Sequence, residues 1–292
     1  PDQSSAASDV YKRQALNIAL GVGEKLKKNK DIKVIYTRKK DEFVNLFDRA
    51  QIANDANADL FISIHCDAHN SNAYGAGTFV LGLHANERNF QIAKKENSVI
   101  FLEEDYSQKY DGFDPSNPES VISLVLMQEE YLDQSIIAAN TIQQSFTKNL
   151  KRRNRTVKQA GFIVLKYTYM PSVLVETGFL TNKEEGKYLN SKKGQAEMAL
   201  TIANAIIDYK NKVTNSFTEL STDFKIDENI ENIYLKVQIA SGTRFLDLKP
   251  YNFKGLKQLT YSKFGKNYKY FFENTQSLKK ANEFLEKAKN PF

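Results

Sequence analysis

The chain has 292 residues, with 41 Lys and Arg against 35 Asp and Glu for a formal charge of +6, and 41% of its residues are hydrophobic. With only 6 Pro and 13 Gly, this composition excludes wholesale disorder, collagen and low-complexity repeats, and the length suits one large domain or two ordinary ones. The single cysteine, Cys66, excludes an internal disulfide and a thiolate zinc cluster, so any metal site must draw on His and carboxylate.

Taken in order, residues 1–14 are polar, aperiodic and without an initiator Met, and they run uncapped into a strong helical pattern. They read as a foreign junction, or alternatively as a natural disordered tail. From Ala15 the residues Leu16, Ile18, Ala19, Val22 and Leu26 keep helical spacing, and the β-branched stretch 33–37 (KVIYT) predicts a short strand. A second helical pattern over 44–57 leads into 59–65 (DLFISIH), a nearly continuous apolar run suited to a strand buried on both faces. Further strands are predicted at 76–82, 162–166 (FIVLK) and 172–175 (SVLV), with a long helical region over about 119–150 and a last helix at 195–210. Alternating strands and helices imply an α/β fold, a layered sheet flanked by helices. The longest apolar run, 121–127, is far short of the roughly 18 residues of a membrane helix.

Charge divides the chain again. Residues 231–292 hold 12 Lys and Arg against 5 Asp and Glu, and 12 of the 34 Phe and Tyr, whereas 1–230 are nearly neutral. The polar, weakly periodic stretch 211–230 reads as a linker. The expected organisation is therefore a junction at 1–14, a catalytic domain at 15–210, the linker, and a small α+β domain at 231–292. In the latter, 233–239 alternate as a strand, 240–242 turn, 268–272 are strand-like and 277–288 helical. Aromatics interleaved with lysines on a small sheet suit binding by stacking and charge, single-stranded nucleic acid included.

In α/β sheets reactive groups gather beyond the carboxyl ends of the strands. That rule selects His65, closing DLFISIH, and Glu176, closing SVLV. A neutral imidazole is the commonest nitrogen ligand for zinc, and a nearby carboxylate can exchange protons with a water and a leaving amine. A strand-end His is also a common structural residue, but a carboxylate after Val-Leu-Val is costly to bury without purpose or partner. His69 reads as a loop residue, and nothing near His84 suggests chemistry. The basic run 151–155 (KRRNR) follows a long helix, where cations favour the dipole, and reads as a solvated helix end.

At these residues the sequence resembles the zinc-dependent N-acetylmuramoyl-L-alanine amidases of family 3, which cut peptide stems from peptidoglycan. The resemblance runs through Asp48-Arg49-Ala50, Ala53-Asn54, Ser63-Ile64-His65, the segment 75–82, Gln159-Ala160-Gly161-Phe162 and, most specifically, 170–182 (MPSVLVETGFLTN), and covers about 15–210. It implies a zinc-activated water, His65 as a zinc ligand and Glu176 as general base, with Arg49 and Asn54 in support. It also implies that two further ligands, a His and a Glu, belong before or inside 1–14; with His65 the lone remaining ligand, this chain is expected to be inactive and to derive from an exported envelope enzyme. Division-associated members of this family carry a helix in the region 84–134 that blocks the zinc until an activator protein withdraws it, which implies an autoinhibitory role for Glu119, Glu129 or Glu130. Lys-Val-Gln-Ile-Ala (236–240) and Phe-Lys-Gly-Leu (253–256) resemble a sporulation-related repeat (SPOR) domain that binds denuded glycan, with its closing strand cut near Pro291-Phe292. The expected function is peptidoglycan hydrolysis in the periplasm or envelope during wall remodelling and daughter-cell separation. The rival reading is a catalytically dead protein that binds the wall or single-stranded nucleic acid.

Overall fold

The computed structural model describes residues 3–68, 72–83, 87–117, 120, 131–223, 234–264 and 267–289. The chain divides into two units, residues 1–216 and 217–292.

The first unit is built on a four-stranded sheet of β1 (Phe61–Asp67), β2 (Ala76–Leu81), β3 (Asn154–Ala160) and β4 (Ser172–Phe179), in the order β1-β4-β2-β3. β1 runs parallel to β4 and β2 parallel to β3, whereas β2 and β4 are antiparallel. Every residue of the central strand β4 is buried, which is why Val173, Leu174 and Val175 form an unbroken apolar run rather than an alternating one. Successive side chains still leave on opposite faces. Val173 and Val175 join Ile18 and Val22 of α1 (Gln3–Leu26), Ala139 and Ile142 of α5 (Leu132–Leu150), and Met198 and Ile202 of α8 (Lys192–Asp223). Leu174 packs on the other face with Leu46 and Ala53 of α2 (Leu46–Asp55), Ile163 and Leu165 of the one-turn α6 (Ile163–Lys166), Phe79 and Tyr110. Both faces are thus covered by helices, as the α/β reading requires. The remaining helices of this unit are α3 (Glu87–Asn97), the short α4 (Tyr106–Lys109) and α7 (Lys183–Asn190).

Several elements differ from their predicted form. The first helix starts at Gln3, so it runs through most of the stretch read as a junction, and Gln14 is buried and donates to the Asn190 side chain. Residues 33–37 form no strand, because no described strand lies alongside to share a ladder. The run 162–166 is not a strand but leads into α6: an apolar stretch this short, buried all round, carries no period by which helix and strand differ. The sheet takes its place from β3, whose polar sequence NRTVKQA suits an edge. The last helix continues to Asp223, through more than half of the predicted linker, since no Pro or Gly interrupts it.

The second unit carries an antiparallel sheet of β5 (Leu235–Gly242), β6 (Leu259–Phe264) and β7 (Asn267–Thr275) in the order β5-β7-β6, with α9 (Leu278–Lys289) against it. Its core is Phe253, Leu256, Tyr270 and Phe272. β5 extends through the predicted turn at 240–242, where its register against β7 shifts. β6 had no sequence forecast.

Candidate active site

The site lies where β1 and β4 end. Their parallel register sets His65 directly beside Glu176, so both side chains leave the sheet on the face that carries Phe61 and Leu174. Beyond this pair the register breaks, and Thr177 ties the ends together by donating to the His65 carbonyl at 2.9 Å. Turning the chain after Glu176 requires Gly178, whose φ is +153° and where a Cβ would meet Arg152 Nη2 at 2.8 Å and Glu185 Oε2 at 2.9 Å.

A third group completes the cluster. Glu96, on the last turn of α3, places Oε2 2.7 Å from His65 Nδ1, while His65 Nε2 lies 2.9 Å from Ser63 Oγ. Two asparagines seat this helix: Asn89 donates to the Gln159 carbonyl at 3.3 Å, and Asn97 donates to the Gly161 carbonyl at 2.7 Å while accepting from the Ile163 amide at 2.9 Å. Donor atoms of His65, Glu96 and Glu176 all lie within 4.8 Å of one another.

Electrostatics separate the two carboxylates. Glu176 is held well above the usual carboxylate range, first by burial and then by the negative charges of Asp67 and Glu96. Both of its oxygens are buried with no hydrogen-bond partner. Burial pushes Glu96 upward too, but His65, Lys95 and Arg49 outweigh it and hold this carboxyl below the usual range. Burial raises Asp67, against Lys95 at 3.4 Å. Burial also pushes the Cys66 thiol up to about 12, which marks it as inert packing beside Thr177 rather than a nucleophile.

One imidazole and two carboxylates are a donor set suited to zinc. Glu176 strengthens the fit, since a buried carboxylate without a donor is an expensive arrangement that a cation would relieve. Arg49, predicted in support, donates to the Val44 carbonyl at 2.9 Å and acts on Glu96 through its charge. Asn54 spends its amide elsewhere, donating to the Tyr167 carbonyl at 2.7 Å and accepting from the Tyr169 amide at 2.9 Å, so that it clasps α2 to the loop before β4. Glu119, Glu129 and Glu130 lie outside the described residues, as do His69 and His84. The region 84–134 does send a carboxylate to His65, but from Glu96, which the sequence reading passed over. Beside His65, where the sequence names no second ligand, the structure thus sets two carboxylates within reach of one ion. The available signal was weak: Glu96 follows Ala93 by three residues and adjoins Asn97, on the edge of the helix face that is buried at Phe90, Ala93 and Asn97.

Comparison with known proteins agrees with this geometry. Residues 8–208 match the Amidase_3 family, described as N-acetylmuramoyl-L-alanine amidase. The chain is 32% identical over 202 residues to N-acetylmuramoyl-L-alanine amidase AmiA of Salmonella typhimurium, covering 67% of this chain and 68% of that one. It is 30% identical over 213 residues to AmiC of Escherichia coli O6:H1, covering 71% of this chain and half of the relative. Among solved structures, the N-acetylmuramoyl-L-alanine amidase of Clostridium difficile 630 superposes with a TM-score of 0.51 at 27% identity, covering 69% of this chain and 84% of that one. The matched segment contains His65, Glu96 and Glu176, and the chain belongs to the N-acetylmuramoyl-L-alanine amidase family.

Proposed function

We propose that this protein hydrolyses the amide between N-acetylmuramic acid and L-alanine of peptidoglycan, with His65 and Glu96 holding a zinc ion and Glu176 transferring the proton. The observation that carries the reading is the Glu176 carboxylate, buried and without a donor, beside His65 at the ends of two parallel strands. Zinc, when bound, lowers the pKa of a water towards about 7 and polarises a carbonyl. Glu176 accepts the proton of the attacking water at a carboxylate oxygen and returns it to the L-alanine nitrogen as the amide bond breaks. Its raised proton affinity suits it to keep that proton between the two transfers. His65 first, then Lys95 and Arg49, favour the ionised form of Glu96, the form in which a carboxylate can hold a cation.

The second unit fits a targeting role, as a SPOR-like module for denuded glycan. Phe245, Tyr261 and Tyr268 form a ring cluster with centroids 5.1 to 6.1 Å apart, Phe245 and Tyr261 are exposed, and Lys263 lies over Tyr268, a surface on which sugar rings can stack. On this reading the protein works in the cell envelope, in wall remodelling and daughter-cell separation, with the region 84–134 the segment through which an activator protein would act. No described helix is long and apolar enough to cross a membrane.

The test is release of stem peptide from purified peptidoglycan by the full chain, with zinc added stepwise. Release that rises with zinc and disappears in Glu176→Gln is expected. No release at saturating zinc, or activity retained by Glu176→Gln, overturns the reading.

A further inference from the structure

One strand away from Glu176, on the same face of the sheet, lies a groove of about 520 Å³ lined by Arg88, Arg153, Arg155 and Lys158 together with Tyr74 and Thr156. That volume falls in the range of roughly 300–1,000 Å³ typical of small-ligand sites. A β-bulge builds it. In β3, Asn154 pairs with Ala76 but Val157 pairs with Thr78, so three steps along β3 answer two along β2. Regular alternation would send Arg155 and Lys158, three residues apart, to opposite faces. The inserted residue, Thr156, restores them to one face by adopting φ +64°, a strained conformation for a β-branched side chain.

The position of this face follows from Gly77, the partner of Glu176 in the antiparallel pair. A Cβ on Gly77 would lie 3.4 Å from Arg155 Cβ and 3.6 Å from Lys158 Nζ, so both cations pack at contact distance across the strand position that is paired with Glu176. The arginines are set in place before any ligand arrives. Arg155 donates to the Tyr74 carbonyl at 3.0 Å and lies 4.7 Å over the Phe179 ring, and Arg153 stacks 5.0 Å over Tyr74. Of the acids whose charge reaches these cations, Asp67 is engaged by Lys95 and Glu185 by Arg152, while Glu176 acts on Lys158 through its charge without an ion pair. Among the described residues no ion pair includes any of the four groove cations. Burial and the neighbouring arginines accordingly lower the Lys158 ammonium to about 8. Strain, desolvation and like-charge repulsion are thus all spent on one concave surface, and an anion would offset each of the electrostatic costs.

We propose that this groove is a specificity subsite that binds the free carboxylates of an acidic peptide, positioning the stem peptide against Glu176. The proposal rests on the amidase reading for the identity of that peptide. A length of peptide suits the groove better than a single small anion, because its four cations are spread among amide, hydroxyl and aromatic groups that can pair with a peptide backbone.

The probe is the dipeptide L-alanyl-D-glutamate as the free diacid and as its α,γ-diamide, titrated into the full chain by calorimetry without zinc and without turnover. The free acid should bind at least tenfold more tightly than the amide. The double variant Arg155→Gln, Lys158→Gln should lose that tenfold for the acid and leave the amide unchanged. Arg88→Gln, at an exposed helix start, should weaken acid binding about threefold and decides the matter if the double variant does not fold. Equal binding of acid and amide, no binding of either, or an unchanged acid affinity in Arg88→Gln overturns the subsite. The two readings fail separately. Acid-selective binding by a chain that releases no stem peptide at saturating zinc overturns the amidase reading alone, and release without preference between acidic and amidated stems overturns the subsite alone.

Discussion

Glu176 and Glu185 are nine residues apart and almost equally buried, yet their surroundings are opposite. Glu185 accepts from Arg152 Nη2 at 2.6 Å, from the Gly75 amide at 2.6 Å and from the Phe179 amide at 2.8 Å. Glu176 accepts from nothing. The Glu185 region is a structural knot that ties β4, α7, the loop before β2 and the residue after α5 into one unit. The Glu176 region carries the cost of an unpaired buried carboxylate, which folding alone gives no reason to keep. The same residue type therefore stabilises in one place and stands unpaired in the other, and what separates them is whether backbone amides point at it.

The largest effect expected on stability follows from Glu185→Ala. It leaves the half-buried Arg152 without its carboxylate and two amides without acceptors, so unfolding free energy should fall by about 3–5 kcal/mol in urea denaturation. A loss under 1 kcal/mol would erase the contrast. Glu176→Gln should act in the opposite sense on stability, raising the midpoint of the chelator-treated protein by about 1 kcal/mol, while cutting stem-peptide release by roughly 10²–10⁴-fold.

A pH series sharpens the same point. With its proton affinity raised, Glu176 in the folded chain keeps its proton to higher pH than in the unfolded chain, where it is released near the ordinary value of 4.5. This contribution to stability is intact below that pH and is lost as pH rises from there through the folded-state value. The urea midpoint of chelator-treated wild type should therefore fall relative to Glu176→Gln as pH is raised from 4 towards neutrality. Parallel curves would show that Glu176 is not desolvated.

Metal supplies the next test. Zinc at a hundred times its dissociation constant should stabilise the wild type by about 2.7 kcal/mol in a thermal melt. Glu96→Gln should weaken that response at least tenfold, while Glu185, which touches no open site, should have no part in it beyond folding. The smallest effect is expected at the bulge, where Thr156→Gly relieves the positive φ and should raise stability by about 1 kcal/mol. A fall would show that the conformation is not strained.

Much of this was legible in one dimension. Strong helical periods near Leu16, Leu46 and Ile202 and the apolar runs ending at His65 and Glu176 marked the layers, and a polar residue closing a buried strand marked the reactive pair. What stayed hidden has particular causes. The segment 162–166 is too short and too uniformly apolar to carry a period. Glu96 reaches the site only because Asn89 and Asn97 seat α3 on the sheet, and in sequence it is one acid in a helix that also carries Lys94 and Lys95. The run 151–155 reads as a solvated helix end, yet in the structure Arg152 is half-buried against Glu185 while Arg153 and Arg155 line a groove.

By itself, the sequence determined the main helices and the strands that carry His65, Leu81 and Glu176, together with the neutral first unit and its basic aromatic tail, because periodicity, charge and burial tendency are properties of short stretches. Only the tertiary structure decided which acid joins them and where the cations face. Those outcomes depend on sheet register and on one inserted residue in β3, and register is set by contacts between segments far apart in the chain.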